Sequence, residues 1–229
     1  MFPLNRRAVI EYAVEEAMAA GITSVGIVIR EGKECIRDYL LDVFSSRNVE
    51  LLFVNQRKPL GVGHAILTCR EIVGLEPFAV ILPDIVFEPE HNPTRDLIEF
   101  FARRGKACLS LVMAPPEILS RYGSLDVAKM IDGVFKITYI SNVPRLKMPS
   151  EKPELRGCGR AIFTPRLFEF PEVKTDSELS DGELISWFME ADEVLGLPVP
   201  YRFYDVGAYD GYVEAINALQ RTAAKLKTD

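Results

Sequence analysis

Apolar side chains recur along this chain at two spacings, one typical of amphipathic helices and one typical of buried strands. Helical spacing predicts helices at residues 6–20, 34–43, 63–73, 94–104 (with Thr94 as the N-cap), 183–191 and 209–225. Short, continuous apolar runs predict strands at residues 24–29, 49–54, 78–82 and 108–113. Because helices alternate with fully apolar strands, we expect an α/β fold with a mostly parallel sheet that is covered on both faces.

The pattern changes in the second half of the chain. Residues 123–140 predict two antiparallel strands around the turn Asp132-Gly133. The rest predicts strands at 157–163 and 201–204, and loops at 142–156 and 171–182. We interpret residues 1–229 as one α/β domain, whose C-terminal part adds a lobe of mixed strands.

Composition limits what the chain can bind. Its 229 residues are 48% hydrophobic and 26% charged, as in a globular protein with a substantial core. The net charge of −6 argues against nonspecific binding of nucleic acid or anionic membranes. No apolar run approaches a membrane span, and the charged N-terminal residues predict no signal peptide. Four scattered cysteines favour reduced thiols in a cytoplasmic protein over a zinc site: Cys35, Cys69, Cys108 and Cys158.

Residues 55–84 carry the strongest chemical signal. Gln56 precedes a turn, G-V-G-H, that contains Gly61, Gly63 and His64 and opens an apolar helix. Glycines where a loop meets a helix allow the backbone to approach a flat or charged ligand. Gln56 could present its amide to a base, since an amide both donates and accepts, and His64 could line the same pocket. The alternatives are a solvated glutamine, a tight turn without a ligand, and a structural histidine.

Two aspartates share one local pattern. Asp84 ends the run A-V-I-L-P-D, and Asp205 ends the run Y-R-F-Y-D. If both strands belong to one sheet, both carboxylates face the crevice where open α/β sheets bind ligands. Two carboxylates there could hold Mg²⁺, which prefers hard oxygen ligands and keeps positions for substrate phosphates. Alternatively, each aspartate caps the turn or helix that follows it.

In this order the motifs resemble those of the bacterial UTP–glucose-1-phosphate uridylyltransferases, a family of sugar nucleotidyltransferases. Residues 61–65 are similar to the family's turn G-L-G-H-A, and residues 81–84 to its strand I-L-P-D. Further similarity lies at the N-terminal M-F-P-L segment and in the second half of the chain, at Tyr122-Gly123, Gly159-Arg160 and residues 204–207. The resemblance therefore covers nearly all of the chain.

The resemblance implies a Rossmann-like, three-layer nucleotidyltransferase fold. Residues 1–115 would form its nucleotide-binding part, and residues 116–229 its sugar-binding part and closing helix. The implied reaction needs Mg²⁺: glucose 1-phosphate attacks the α-phosphorus of UTP, giving UDP-glucose and pyrophosphate. The implied site residues are Gln56, Gly61, Gly63 and His64 for the nucleotide, Tyr122 and Gly123 for the sugar, Asp84 and Asp205 for Mg²⁺ and catalysis, and Arg145 for catalysis at the sugar phosphate.

The sequence also departs from the family. Family members have a strand, a G-x-G-T-R loop that wraps the triphosphate, and a P-K-E segment upstream of the position of Met1. We therefore expect this chain to lack those contacts with the triphosphate. A gapless comparison back from Gly159 places V-P-R-L (residues 143–146) where the family has V-E-K-P, whereas a shifted comparison uses residues 150–153 instead.

Three hypotheses follow. The first is an active nucleotidyltransferase that makes a UDP-sugar. The second is a non-catalytic relative that binds a uridine nucleotide or nucleotide-sugar, or partners a full-length enzyme. The third is a truncated product that binds no ligand. An exposed apolar strand edge is a liability, so we expect either a rearranged N-terminal helix or a partner subunit, such as a second copy in a homo-oligomer, to cover it.

Overall fold

A computed structural model describes residues 3–121, 123–130, 132–142, 152–171 and 177–225. Two residues with expected roles, Tyr122 and Arg145, lie outside these ranges, as do the residues of the V-P-R-L segment. No helix in the described ranges is both long and apolar enough to cross a membrane.

The helices agree closely with the predicted ones. In chain order they are α1 (Val9–Ala19), α2 (Glu34–Val43), α3 (Gly61–Thr68), α4 (Arg70–Val73), α5 (Pro93–Arg104), α6 (Asp181–Met189) and α7 (Tyr209–Lys225). The N-cap of α5 is Asn92, whose side chain accepts a hydrogen bond from the Arg95 N–H at 2.8 Å. The expectation of Thr94 there is wrong, because the Thr94 hydroxyl donates to Glu16 instead.

The strands include several that the pattern did not predict. In chain order they are β1 (Pro3–Leu4), β2 (Arg7–Ala8), β3 (Ser24–Ile29), β4 (Glu50–Asn55), β5 (Phe78–Ile81), β6 (Ile85–Phe87), β7 (Ala107–Ala114), β8 (Ser124–Lys129), β9 (Phe135–Ser141), β10 (Glu154–Phe163), β11 (Val194–Pro198) and β12 (Phe203–Asp205). Strand β11 was missed because it contains Gly196 and Pro198, residues that are depleted in strands. Yet β11 is central, where a Cβ on Gly196 would collide with the Leu111 side chain.

A six-stranded mixed sheet forms the middle of the molecule, in the order β5-β10-β7-β11-β9-β8. Strand β11 runs parallel to β7, while β10 lies antiparallel between β5 and β7. The predicted hairpin in residues 123–140 is the antiparallel pair β8–β9. The expectation of a mostly parallel sheet is wrong. Among the strands that the structure describes, antiparallel pairings outnumber parallel ones, because β10 and β9 run against their neighbours.

Helices cover both faces of this sheet, as the α/β pattern predicts. On one face, Ile66 of α3 and Leu184 and Phe188 of α6 pack with Leu109 and Leu111 of β7. The opposite face is covered by α5, and its cluster is Leu97, Phe100, Cys108, Val134, Ile162 and Leu195. The neighbours Cys108 and Leu109 point to opposite faces because side chains alternate along a strand.

A second, smaller sheet consists of β3 and β4. The parallel strands β3 and β4 pair along their whole length, and α1 and α2 pack on them through Val14, Ile27, Leu40 and Phe44. Within the described ranges, β3 pairs only with β4 and β5 pairs only with β10. Each therefore has one edge without a ladder partner, even though both strands are largely apolar.

Candidate functional site

The turn between β4 and α3 requires glycine at Gly61. Its φ is +89°, a left-handed conformation that side chains with a Cβ rarely adopt. A Cβ there would also overlap the carbonyl oxygen of Leu179 and approach the Glu178 Cγ atom to 2.7 Å. The sequence could indicate a turn at Gly61, but not the segment that presses against it.

Three of the predicted nucleotide-site residues contact one another in this turn. The Gln56 Nε2 atom donates to the Gly61 carbonyl oxygen at 3.0 Å and lies 3.0 Å from the His64 Nδ1 atom. All three residues are partly buried. The Gln56 amide is therefore fixed by its neighbours, which rules out the alternative of a freely solvated glutamine.

The turn is closed by the segment Leu179–Gly182, which the sequence analysis treated only as part of a loop. The Gly63 N–H donates to the Leu179 carbonyl at 2.9 Å, and the Leu179 N–H donates to the Leu60 carbonyl at 2.8 Å. The segment then begins α6 with a capping box, in which the Ser180 N–H donates to the Glu183 carboxylate at 2.9 Å. These bonds with the Ser180 backbone and hydroxyl hold the pKa of Glu183 below its usual value.

The carboxylates of Asp84 and Asp205 converge, although by a route that differs from the expected one. Strand β12 pairs antiparallel with β6, so Asp205 lies opposite Ile85. The Val206 N–H also donates to the Asp84 carbonyl at 2.8 Å. Asp205 Oδ1 and Asp84 Oδ2 lie 3.2 and 3.9 Å from the position that a Cβ on Gly207 would occupy. The premise that both aspartates end strands of one sheet is wrong. Asp84 follows β5 of the six-stranded sheet, whereas Asp205 ends β12, which forms a separate two-stranded ladder with β6.

The electrostatic surroundings of Asp84 oppose its negative charge. Burial raises the pKa of its carboxyl, and the negative charges of Asp205 and Asp181 add to that rise, while Arg160 acts in the opposite direction. Asp84 nevertheless keeps exposed surface, so a ligand can reach it. Two carboxylates converge here, and the surroundings of Asp84 destabilise its ionised form. A hard divalent cation would offset that negative charge, so the pair fits such an ion.

Such a cation would need further ligands. Across the ranges that the structure describes, no group of three or more His, Cys, Asp or Glu side chains could hold a metal ion. A cation between Asp84 and Asp205 would therefore complete its coordination with water and substrate oxygens, as Mg²⁺ commonly does.

Asn142 connects the expected sugar-binding glycine to the same segment. Asn142 Nδ2 donates to the Asp181 carboxylate at 2.6 Å, and Asn142 Oδ1 accepts from the Gly182 N–H at 2.8 Å. A Cβ on Gly123 would lie 2.8 Å from the Asn142 Cα atom. The segment Leu179–Gly182 therefore contacts the turn at Gly61 on one side and the strand end beside Gly123 on the other.

A buried arginine supports the loop that carries Asp84. Arg160 donates to the carbonyl oxygens of Leu82 at 2.9 Å and Ile85 at 2.7 Å. It also forms two hydrogen bonds with Glu16 of α1, at 2.9 and 2.7 Å. The sequence had marked Arg160 only as part of a family motif and gave no sign that its partner would be Glu16.

The structure brings most of the predicted site residues together. The segment Leu179–Gly182 joins the turn at Gly61 to the surroundings of Gly123, and Asp84 and Asp205 converge beside Gly207. Tyr122 and Arg145 lie outside the described residues. Sequence reasoning missed Asn142, Leu179 and Asp181. Only the capping-box pattern Ser180-x-x-Glu183 could have indicated that a helix begins at this point.

A mixed sheet with helices on both faces, together with a glycine turn and a pair of aspartates, defines this chain as an α/β protein with a candidate ligand site. The sequence model of the nucleotidyl transferase family matches residues 1–222, and the chain belongs to that family. It is 28% identical to the UTP–glucose-1-phosphate uridylyltransferase of Pseudomonas aeruginosa over 245 residues, covering 95% of this chain and 86% of the relative.

A further relative and a solved structure show a similar degree of likeness to this chain. The UTP–glucose-1-phosphate uridylyltransferase of Bacillus subtilis is 27% identical over 237 residues, which cover 93% of this chain and 80% of the relative. Among solved structures, a UDP-glucose pyrophosphorylase complexed with UDP-glucose superposes with a TM-score of 0.83 at 27% identity. The match covers 97% of this chain and 90% of that one. The family resemblance read from the motifs is therefore confirmed.

Proposed function

We propose that this chain is a sugar-phosphate nucleotidyltransferase for uridine nucleotides, most simply converting UTP and glucose 1-phosphate to UDP-glucose and pyrophosphate. In that reaction, a phosphate oxygen of glucose 1-phosphate bonds to the α-phosphorus of UTP, and the bond to the departing pyrophosphate breaks. Relatives that share nearly the whole chain carry this activity in their names. The observation that carries the proposal is the segment Leu179–Gly182, because it bonds to the turn at Gly61 on one side and to Asn142 beside Gly123 on the other.

The turn suits a nucleobase. The backbone of Leu179 and Ser180 packs directly against Gly61 and Gly63, which fixes the turn, and Gln56 offers an amide that is already oriented. Peptide N–H groups in the first turn of α3 lack acceptors within the helix. The Gly63 N–H donates to Leu179 instead, and the N–H groups of Gly61 and Val62 could donate to carbonyl oxygens of a base. These features support recognition of uracil at Gln56 and Gly61, with Gly63 and His64 shaping the turn.

Asp84 and Asp205 would hold Mg²⁺. The ion would supply positive charge for the phosphate oxygens, where charge redistributes during transfer. The protein's own part is to keep the two carboxylates converged, through the β6–β12 ladder and through the bonds from Arg160 to the Asp84 loop.

The sugar would lie beside the backbone of Gly123, whose Cβ position is filled by the backbone of Ser141 and Asn142. Tyr122 precedes this glycine and would belong to the same subsite. Arg145 would bind the sugar phosphate, since a guanidinium matches phosphate oxygens in a bidentate manner.

A second candidate function is binding of a uridine nucleotide or nucleotide-sugar without turnover, alone or in partnership with a full-length enzyme. It is favoured by one sequence observation, which is the V-P-R-L segment in place of V-E-K-P. Pro144 cannot grip sugar hydroxyls as a glutamate carboxylate would, and Arg145 differs in shape from lysine.

Calorimetry and a turnover assay on the same preparation would separate these candidates. We expect UTP and UDP-glucose to bind with Mg²⁺ present, and glucose 1-phosphate with UTP to release pyrophosphate. Asp84→Asn should abolish the Mg²⁺-dependent part of both signals. Glu99→Gln, an exposed change on α5, is the matched control and should change neither. Binding without pyrophosphate would replace the first candidate by the second, and the absence of any uridine-nucleotide binding would refute both.

A further inference from the structure

The orientation of the Gln56 side-chain amide can be settled from its partners. The Gly61 carbonyl oxygen can only accept a hydrogen bond, so the atom 3.0 Å from it must be the amide nitrogen. That nitrogen carries two hydrogens. One is directed to Gly61, which leaves the second for the His64 ring nitrogen 3.0 Å away.

This arrangement also settles which nitrogen of His64 carries the proton. The Nδ1 atom faces a donor and must therefore accept, so the proton of the neutral ring is on Nε2. Both amide hydrogens of Gln56 are then used within the protein. Its Oε1 atom has no hydrogen-bond partner among the residues that the structure describes, so the amide offers an incoming ligand a pure acceptor.

We infer that His64 is a positioning residue for base specificity, because it holds Gln56 with its oxygen toward the ligand. The inference rests on the proposed uridine-nucleotide function. An outward acceptor matches a base that has a hydrogen on its ring nitrogen N3, as uracil and thymine do. Cytosine has an unprotonated N3 there, and two facing acceptors repel. A site built around a fixed acceptor therefore rejects the base that lacks the donor.

His64 shares this task with the Gly61 carbonyl, so its loss should weaken the discrimination rather than remove it. Without an acceptor at the Nδ1 position, one amide hydrogen loses its partner and the Gln56 amide can rotate. One neutral hydrogen bond corresponds to a change of about fivefold in a ratio of dissociation constants. The effect should appear in the preference between bases more than in overall stability.

Two substitutions of matched shape separate the acceptor from the bulk of the ring. His64→Asn keeps an oxygen near the Nδ1 position, whereas His64→Leu places a methyl group there. Dissociation constants for UTP and CTP would be measured by calorimetry with Mg²⁺ present. We expect the preference for UTP to fall about fivefold in His64→Leu and to stay within about twofold of the wild type in His64→Asn. Thr68→Val, on the same helix, should leave it unchanged, because the Thr68 hydroxyl donates to the Ala65 carbonyl and not to Gln56 or His64.

A measurement without ligand accompanies this test. A long-range ¹H–¹⁵N correlation spectrum should show His64 with a protonated Nε2 and an accepting Nδ1. The Gln56 amide signals should move in His64→Leu and much less in His64→Asn. A wild-type preference that survives in His64→Leu, an equal loss in both variants, or a protonated Nδ1 would each overturn the inference. Wild-type protein that binds no UTP, with the expected tautomer present, would instead refute the proposed function and remove the basis of this one.

Discussion

Arg160 and Glu16 form a bidentate ion pair between β10 and α1, with N–O distances of 2.9 and 2.7 Å. The arginine side chain is 2% exposed and the glutamate side chain 9%. The same guanidinium donates to the carbonyls on either side of Pro83-Asp84, at Leu82 and Ile85. An N-terminal helix is thereby tied to the loop that presents a candidate metal ligand.

Removing one member of this ion pair should destabilise the folded protein. Glu16→Leu leaves the Arg160 charge buried without its partner, and we expect the free energy of unfolding to fall by about 3–5 kcal/mol. Urea unfolding followed by circular dichroism would measure it. The control is Glu15→Leu on the same helix, where a half-exposed bridge to Arg7 is worth at most about 1 kcal/mol. Equal losses in the two variants would contradict the structural role of the buried pair.

Gly61→Ala should disrupt the turn more than its backbone angle alone requires. Gly21 has the same φ of +89° with no atom within 4 Å of its missing Cβ, so Gly21→Ala reports only the conformational cost, about 1–2 kcal/mol. Gly61→Ala adds the collision with Leu179, and we expect a larger loss of stability together with loss of uridine-nucleotide affinity. Thermal melts and calorimetry would test this. Equal losses of stability in the two variants, with nucleotide affinity retained in Gly61→Ala, would show that Leu179 moves away from the new side chain without disturbing the turn.

Asp84→Asn should stabilise the protein in the absence of a divalent cation while removing the response to one. Because the pKa of Asp84 is raised in the folded state, its contribution to stability is present below the unfolded pKa and is lost as the pH rises through the folded value. At pH 7 the variant should melt roughly 1–3 °C higher, a modest change because the exposed side chain is screened by solvent.

The gap in melting temperature between Asp84→Asn and the wild type should close as the pH falls below the ordinary aspartate pKa of about 3.9, because the carboxyl is then protonated in both the folded and the unfolded state. Adding Mg²⁺ should raise the melting temperature of the wild type only. A variant that still responds to Mg²⁺ would exclude Asp84 as a ligand, and a variant less stable than the wild type at pH 7 would contradict the direction of the pKa shift.

The cysteines should differ sharply in reactivity. Burial raises the pKa of the Cys108 and Cys158 thiols to about 12, so almost no thiolate forms at pH 8, whereas Cys35 is exposed. A disulfide reagent that reports thiolate release should show one fast thiol in the native protein, which Cys35→Ser removes, and four in urea. Cys69 is partly buried, and burial raises the pKa of its thiol, so it should react slowly. Fast native reaction of a second thiol that persists in Cys35→Ser and in Cys69→Ser would show that the sheet opens around β7 and β10.

Local sequence patterns predicted some elements of the fold correctly and others not. Helix α2 was predicted with its observed bounds, Glu34–Val43, because its apolar spacing is local and regular. Strand β11 was missed because glycine and proline are uncommon in strands, and its place beside β7 is determined by tertiary packing. For Asp205 the residue was found but the reason for its position was wrong, because the pairing of β12 with β6 is a long-range choice that no local pattern records.

The sequence by itself determined the alternation of helices and strands, the glycine turn at Gly61 and the two aspartates, because each depends on residue type and short-range spacing. Only the tertiary structure decided that Leu179 closes that turn, that Asn142 joins Gly123 to α6, and that Arg160 meets Glu16. Asn142 and Gly182 are 40 positions apart in the chain, and Arg160 and Glu16 are 144 positions apart. They exist because burial of the shared core brings the segments together, and a polar group at such a junction must then find its partner.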